Sequence, residues 1–232
     1  MSESPAPDPS KVAIAIALAV MGAQILAVLQ PHAIPFDQEE LYNAAHARLV
    51  QLGHMDYLLD LQYRGHCGGC TQHALLGAGL FTLMGHSLFV WKLIPVLWMG
   101  LFAYAGVRFL SAHCGQIASA VFGMLLLFPP PAFLELSLTA WGNHFESGVA
   151  AIVVLWLIGR VIQHATAARS FILGLSLAWA LWIGFSSAFL ILALPVLLWR
   201  RLSPRSWASL VAGLSTVIGI WGLQHYQALS SP

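Results

Sequence analysis

Residues 12–29 are apolar or small at every position except Gln24, and no other feature restricts the possible folds of this chain so strongly. At 1.5 Å per residue, a helix over that run is about 27 Å long, close to the roughly 30 Å hydrocarbon core of a bilayer. Similar runs recur towards the C-terminus. The composition agrees, with 59% hydrophobic residues, 8% charged residues and a mean hydropathy of +0.77, whereas soluble domains carry about 25% charged residues. There is too little charge to cover a soluble core of 232 residues, so the sequence reads as an all-α integral membrane protein. The net charge of +1 says little about partners, and with no basic tract nothing points to nucleic acid, so none is expected as a partner.

Taken in order, residues 1–11 are rich in Pro and Ser and read as a disordered tail. Residues 12–232 then form one transmembrane domain. After the first span, Pro31 and Pro35 stop the helix, and Asp37 with Glu40 three residues later has the spacing of a capping box. Leu41, Ala45, Leu49 and Leu52 give the following helix one apolar stripe, with Gly53 as its stop. Such a helix lies in the membrane interface. Residues 53–72 are too polar for lipid and read as a loop with one helical turn at 57–61. Residues 74–84 are apolar but too short to span, and read as a second interfacial helix. Further spans are expected at 87–110, 117–128, 149–162 and 207–223, with two more inside 171–199 separated at Gly184, making about seven in all. Residues 129–146 form a second loop.

The basic residues set the orientation. With the N-terminus in the cytoplasm, Lys11, Arg108, Arg160, Arg169, Arg200, Arg201 and Arg205 lie inside, and only Arg48, Arg64 and Lys92 lie outside. The first loop, 31–86, the second loop, 129–146, and the C-terminus are then extracytoplasmic. Seven of the nine acidic residues also fall outside. Acids are not part of the orienting rule, so their one-sidedness points to function.

Three groups carry candidate chemistry. Asp37, Glu39 and Glu40 have the spacing for a general base or for a divalent metal, and Glu39, Asn43 and His46 share a helical face; Asp37 and Glu40 also suit a helix cap. Cys67-Gly-Gly-Cys70, flanked by His66 and His73, reads as a loop-pinning disulfide on an oxidising face, with zinc as the other reading. Asn143, His144 and Glu146 precede a span, where a solvated boundary and a second wall of one pocket are both open readings. Arg64 and Lys92 are the outer cations available to a lipid phosphate, or to snorkel to headgroups. Several tryptophans near span ends form an aromatic belt. Neither HExxH nor GxSG is present, so neither membrane metalloprotease nor rhomboid-type serine chemistry is indicated.

This layout resembles the N-terminal module of the GT-C superfamily, membrane glycosyltransferases that use polyprenyl-phosphate sugars. Phe36-Asp37-Gln-Glu39-Glu40-Leu-Tyr42, with Ala44, Ala45 and Gly53, looks like the acidic start of that family's first loop. Leu80-Phe-Thr-Leu-Met-Gly85-His-Ser87, leading into Trp91-Lys92-Leu-Ile-Pro95, is similar to the loop's exit in the protein mannosyltransferase and aminoarabinose transferase branches. Those branches carry a Pro-Pro pair where this chain has Cys67 to Cys70, and they continue into further spans or a soluble domain. The resemblance implies a bacterial inner-membrane protein performing inverting transfer. Asp37 would be the catalytic carboxylate, Glu39 or Glu40 its alternative or metal partner, and Arg64 and Lys92 the cations at the lipid phosphate. Apart from the resemblance, His144 and Glu146 would contact substrate if the second loop folds over the same pocket. The implied partners are a lipid-linked sugar donor and membrane lipids. The alternative is a non-catalytic subunit that keeps this scaffold and packs with other membrane subunits.

Overall fold

A computed structural model describes residues 8–30, 36–54 and 67–230. Every regular element among them is helical. The expected loop turn at 57–61 and Arg64 lie outside the described residues, as do residues 1–7 of the expected tail.

Helix α1 (Pro9–Val28) begins inside the segment read as tail. Asp8 caps it by accepting from Ser10 N at 2.8 Å, and Pro9 stands at the first helical position, where its missing N–H costs nothing. Ala13, Ala17, Val20 and Gln24 form its buried face. Gln24, the one polar residue of the run, donates from Nε2 to Ser137 Oγ at 2.9 Å, so the amide lies against protein.

α2 (Gln38–Gln51) starts at the expected cap, Asp37, and stops before Gly53, whose φ of 92° needs a residue without Cβ. Its apolar stripe is not what it buries against the rest of the chain. Leu41, Ala45 and Leu52 are exposed, while Glu40, Asn43, Ala44, Ala47 and Val50 turn inward. Against lipid, apolar side chains gain little by facing protein, whereas carboxylate and amide groups need partners.

α3 (Gly68–Met84) runs longer than the expected 74–84, because the helix already includes the Cys-Gly-Gly-Cys segment. α4 (Leu88–His113) is the central helix and packs on α1, α3, α5 (Gln116–Leu127) and α7 (Phe145–Gln163). α5 is bent by 80° relative to α6 (Pro131–Leu138) at the proline break. The second loop is therefore partly helical, since Pro at the first position starts a new helix while its ring prevents continuation of the old one.

α8 (Ala167–Ile183) ends at Gly184, as the sequence suggested, and a 3-10 turn leads to α9 (Ala188–Leu198). α10 (Pro204–Ser230) lies along α8. A Cβ on Gly174 would come within 2.1 Å of Leu210 O, and one on Gly213 within 2.2 Å of Phe171 O. These two glycines let the backbones of α8 and α10 touch.

Among the described residues, three helices are long and apolar enough to cross a membrane, α1, α4 and α7. The bent α5–α6 pair makes a fourth if it counts as one span. Of the seven spans expected from sequence, the two inside 171–199 correspond to the shorter apolar helices Ala167–Ile183 and Phe185–Leu198, and the one at 207–223, inside α10, is not among these three or four. One apolar core gathers α1, α3 and α4 around Trp91, Ile94 and Met99; a second gathers α7 to α10 around Leu173, Leu177 and Ile183. Trp179 packs against both.

Candidate functional site

The described candidate residues Asp37, Glu39, Glu40, Cys67, Cys70, Lys92, His144 and Glu146 come together around the start of α2, the start of α3 and segment 139–144. Glu40, in the first turn of α2, and Lys92, near the start of α4, are both essentially inaccessible. Lys92 Nζ lies 2.7 Å from Glu40 Oε2, donates to Leu138 O at 3.0 Å, and sits 4.5 Å above the centre of the Phe36 ring. Glu40 Oε1 accepts from Ala140 N at 3.1 Å. The pair thus takes up a carbonyl left free at the end of α6 and the N–H two residues later. Glu40 and Lys92 close the fold here, and the Lys92 ammonium is not presented to a lipid phosphate.

One layer outward, Asp37 is exposed and accepts from Glu39 N at 2.8 Å. That bond first, and then a hydrogen bond from the Trp141 side chain, holds its carboxyl below the usual carboxylate range. Asn43 Nδ2 donates to Trp141 O at 3.0 Å, and the Trp141 ring meets the His144 ring edge to face at 4.7 Å. Segment 139–144 is therefore laid across the start of α2, and the two loops read separately from the sequence form one surface.

The Cys-Gly-Gly-Cys segment forms the third side. Cys67 and Cys70 are joined as a disulfide, and Cys67 Sγ caps α3 by accepting from Cys70 N at 3.2 Å. The two glycines follow from packing: a Cβ on Gly69 would fall 1.4 Å from Gly142 O, and one on Gly68 would fall 2.2 Å from Trp182 O. Gly142 itself has φ of 95°. A carboxylate oxygen of exposed Glu39 and the two sulfurs lie within 4.8 Å of one another. With the sulfurs bonded to each other, this group offers a metal one carboxylate and no thiolate.

Beneath this surface lies a second buried pair. His73 Nε2 is 3.2 Å from Glu146 Oε1 and accepts the Trp98 indole N–H at 2.9 Å. Trp98 stacks on Trp179, whose indole donates to Gln72 Oε1. Both Glu146 oxygens and His73 Nδ1 have no hydrogen-bond partner among the described residues.

The structure thus brings Asp37, Glu39, Cys67, Cys70 and His144 to one face, and puts Glu40, Lys92 and Glu146 beneath it. His144 and Glu146 part company, the first exposed with Trp141 and the second buried with His73. From the sequence, Trp141 is one of the tryptophans near span ends that read as a belt and His73 only flanks the cysteines, and neither reading indicates their partners. Asn43 and Trp141 are 98 residues apart, and Glu40 and Ala140 are 100 apart; helical spacing carries no signal over such separations. No family model, curated protein or solved structure matches the chain.

Proposed function

We propose that this chain is a GT-C-like membrane module that transfers a sugar from a polyprenyl-phosphate donor to an acceptor at the face built by α2, the start of α3 and segment 139–144. In this reading the N-terminus is cytoplasmic, that face and the C-terminus are extracytoplasmic, and the membrane is a bacterial inner membrane. The observation that carries it is Asp37: an exposed carboxylate, held by Glu39 N and Trp141, where the two loops meet. Asp37 takes the proton of the acceptor hydroxyl or amine as that atom bonds to the anomeric carbon. The bond from that carbon to the phosphate oxygen breaks, and its electron pair leaves with the polyprenyl phosphate. A carboxylate with a lowered pKa is a weak base, so its main work is to orient the acceptor and accept the proton late. Glu39 is the second exposed carboxylate on this face and, with Asp37, supplies the ligands for a divalent ion.

The test is sugar transfer by the purified chain in nanodiscs containing polyprenyl-phosphate sugars, comparing the wild type with Asp37→Asn. A loss of about 10²-fold or more is expected, in line with removal of a general base. Full activity in a folded variant rejects Asp37.

A second reading, a non-catalytic subunit of a membrane complex, is favoured by a specific observation. Glu40 and Lys92 are already fully used in closing the fold. Extraction of the native membrane in mild detergent distinguishes the two, since a subunit leaves in fixed stoichiometry with other chains and an independent enzyme leaves alone.

A further inference from the structure

At the other end of the bundle, three arginines from three helices line one cavity of about 380 Å³. Arg108 comes from the later part of α4, Arg160 from the last turn of α7 and Arg169 from the start of α8. Arg108 is sixteen residues beyond Lys92 on α4, which places the two ends of the bundle about 24 Å apart by helical rise. Ser10 and Tyr104 add hydroxyls to the lining, and Trp156, Leu157 and Ile172 form its apolar side. Tyr104 and Trp156 meet edge to face at 5.7 Å, and Ile172 is 48% exposed, so the apolar wall reaches the surface of the helix bundle.

The sequence explains basic residues at a cytoplasmic end one by one, each reaching separately to headgroups. It does not explain their convergence on one concavity. All three are half-buried. Among the described residues, no carboxylate lies in ion-pair contact with any of the three arginines. Asp8, close in sequence to Ser10, caps α1 through Ser10 N. A guanidinium has five N–H donors; Arg108 uses one on Ser10 Oγ, Arg169 uses one on His164 O at 3.0 Å, and Arg160 has no protein acceptor among the described residues. Three like charges in one pocket repel, and most of their donors have no protein acceptor among the described residues.

We propose that this cavity is a binding site for a dianionic phosphate group, carried by a lipid phosphomonoester of the adjoining leaflet or free in solution. Forked guanidiniums match phosphate oxygens in pairs, and the Trp156, Leu157 and Ile172 side accommodates the apolar part of a lipid. The site stands whether or not Asp37 is catalytic.

The test uses the full chain in phosphatidylcholine nanodiscs, labelled with the arginine reagent phenylglyoxal and mapped by peptide mass spectrometry. Labelling is repeated with phosphatidic acid in the disc, and separately with inorganic phosphate in the buffer. Arg160 and Arg169 should be labelled about tenfold more slowly with the anion present, the scale of a lost charge-assisted contact, while Arg200 and Arg205 are unaffected. Protection by phosphatidic acid alone assigns a lipid source, and protection by inorganic phosphate as well assigns the free anion. No protection by either, or equal protection at Arg200 and Arg205, overturns the site. The double variant Arg160→Gln/Arg169→Gln should retain phosphatidic acid about a hundredfold more weakly by native mass spectrometry, on the same scale of about tenfold per arginine. Unchanged retention overturns the site; if the variant does not fold, the labelling of the native chain decides.

Discussion

Lys92 Nζ lies 2.7 Å from Glu40 Oε2, with both side chains sealed from solvent and each holding a backbone group of segment 138–140 as well. One ion pair therefore fastens three separate pieces of chain, the start of α2, the start of α4 and the end of α6. Removing either partner leaves the other as a buried, uncompensated charge.

Glu40→Ala or Lys92→Met alone should lower unfolding stability by about 3–5 kcal/mol, the usual cost of breaking a buried pair. The double variant Glu40→Leu/Lys92→Met should recover a large part of that loss. Unfolding in detergent, followed by circular dichroism, gives all three values. Additive losses in the double variant would show that the two charges do not depend on each other.

Asp37 makes stability depend on pH. Its carboxyl is held below the ordinary value of 3.8, chiefly by the Glu39 N–H. The stabilising contribution is complete above the unfolded-state pKa and disappears as pH falls through the lower, folded one. Asp37→Asn should flatten the acid limb of the stability curve below about pH 4. Asp37→Ala should cost about 1 kcal/mol at neutral pH as a lost helix cap. An identical acid limb in wild type and Asp37→Asn would falsify this assignment.

At Gly69 an added methyl collides with Gly142 O, and at Gly142 the positive φ adds strain to the contact with Cys70 N. Gly69→Ala and Gly142→Ala should each destabilise by about 1–3 kcal/mol or more, as overpacking does. Both should speed proteolysis within segment 139–144 by lifting it from α3. Wild-type cleavage rates there would argue that the two segments do not touch.

The disulfide closes a very short loop, so the chain-entropy relation gives it only about 2 kcal/mol. Cys67→Ser/Cys70→Ser should lose that amount in non-reducing buffer. Alkylation should modify only Cys114, the exposed free thiol, until the protein is reduced. Stoichiometric zinc in the unreduced protein would instead support the metal reading of these cysteines.

Local sequence determined much of this protein. The run at 12–29, the Asp37 cap, the stops at Gly53 and Gly184 and the break at the prolines near 130 are all set by side-chain type and nearest neighbours, and the helices follow them, except that α1 starts earlier, at Pro9 behind the Asp8 cap. The acidic cluster and the cysteines were legible as chemistry for the same reason. The tertiary structure alone decided which face of α2 turns inward. The apolar stripe of Leu41, Ala45 and Leu52 marked the helix as interfacial without saying what its other side would meet; Glu40 and Asn43 are buried because their partners lie on α4 and on segment 139–144. Where the surroundings are apolar, hydrophobicity stops distinguishing inside from outside, and the need of buried polar groups for partners takes over. That need is met by residues about a hundred positions away, which only the assembled fold brings together.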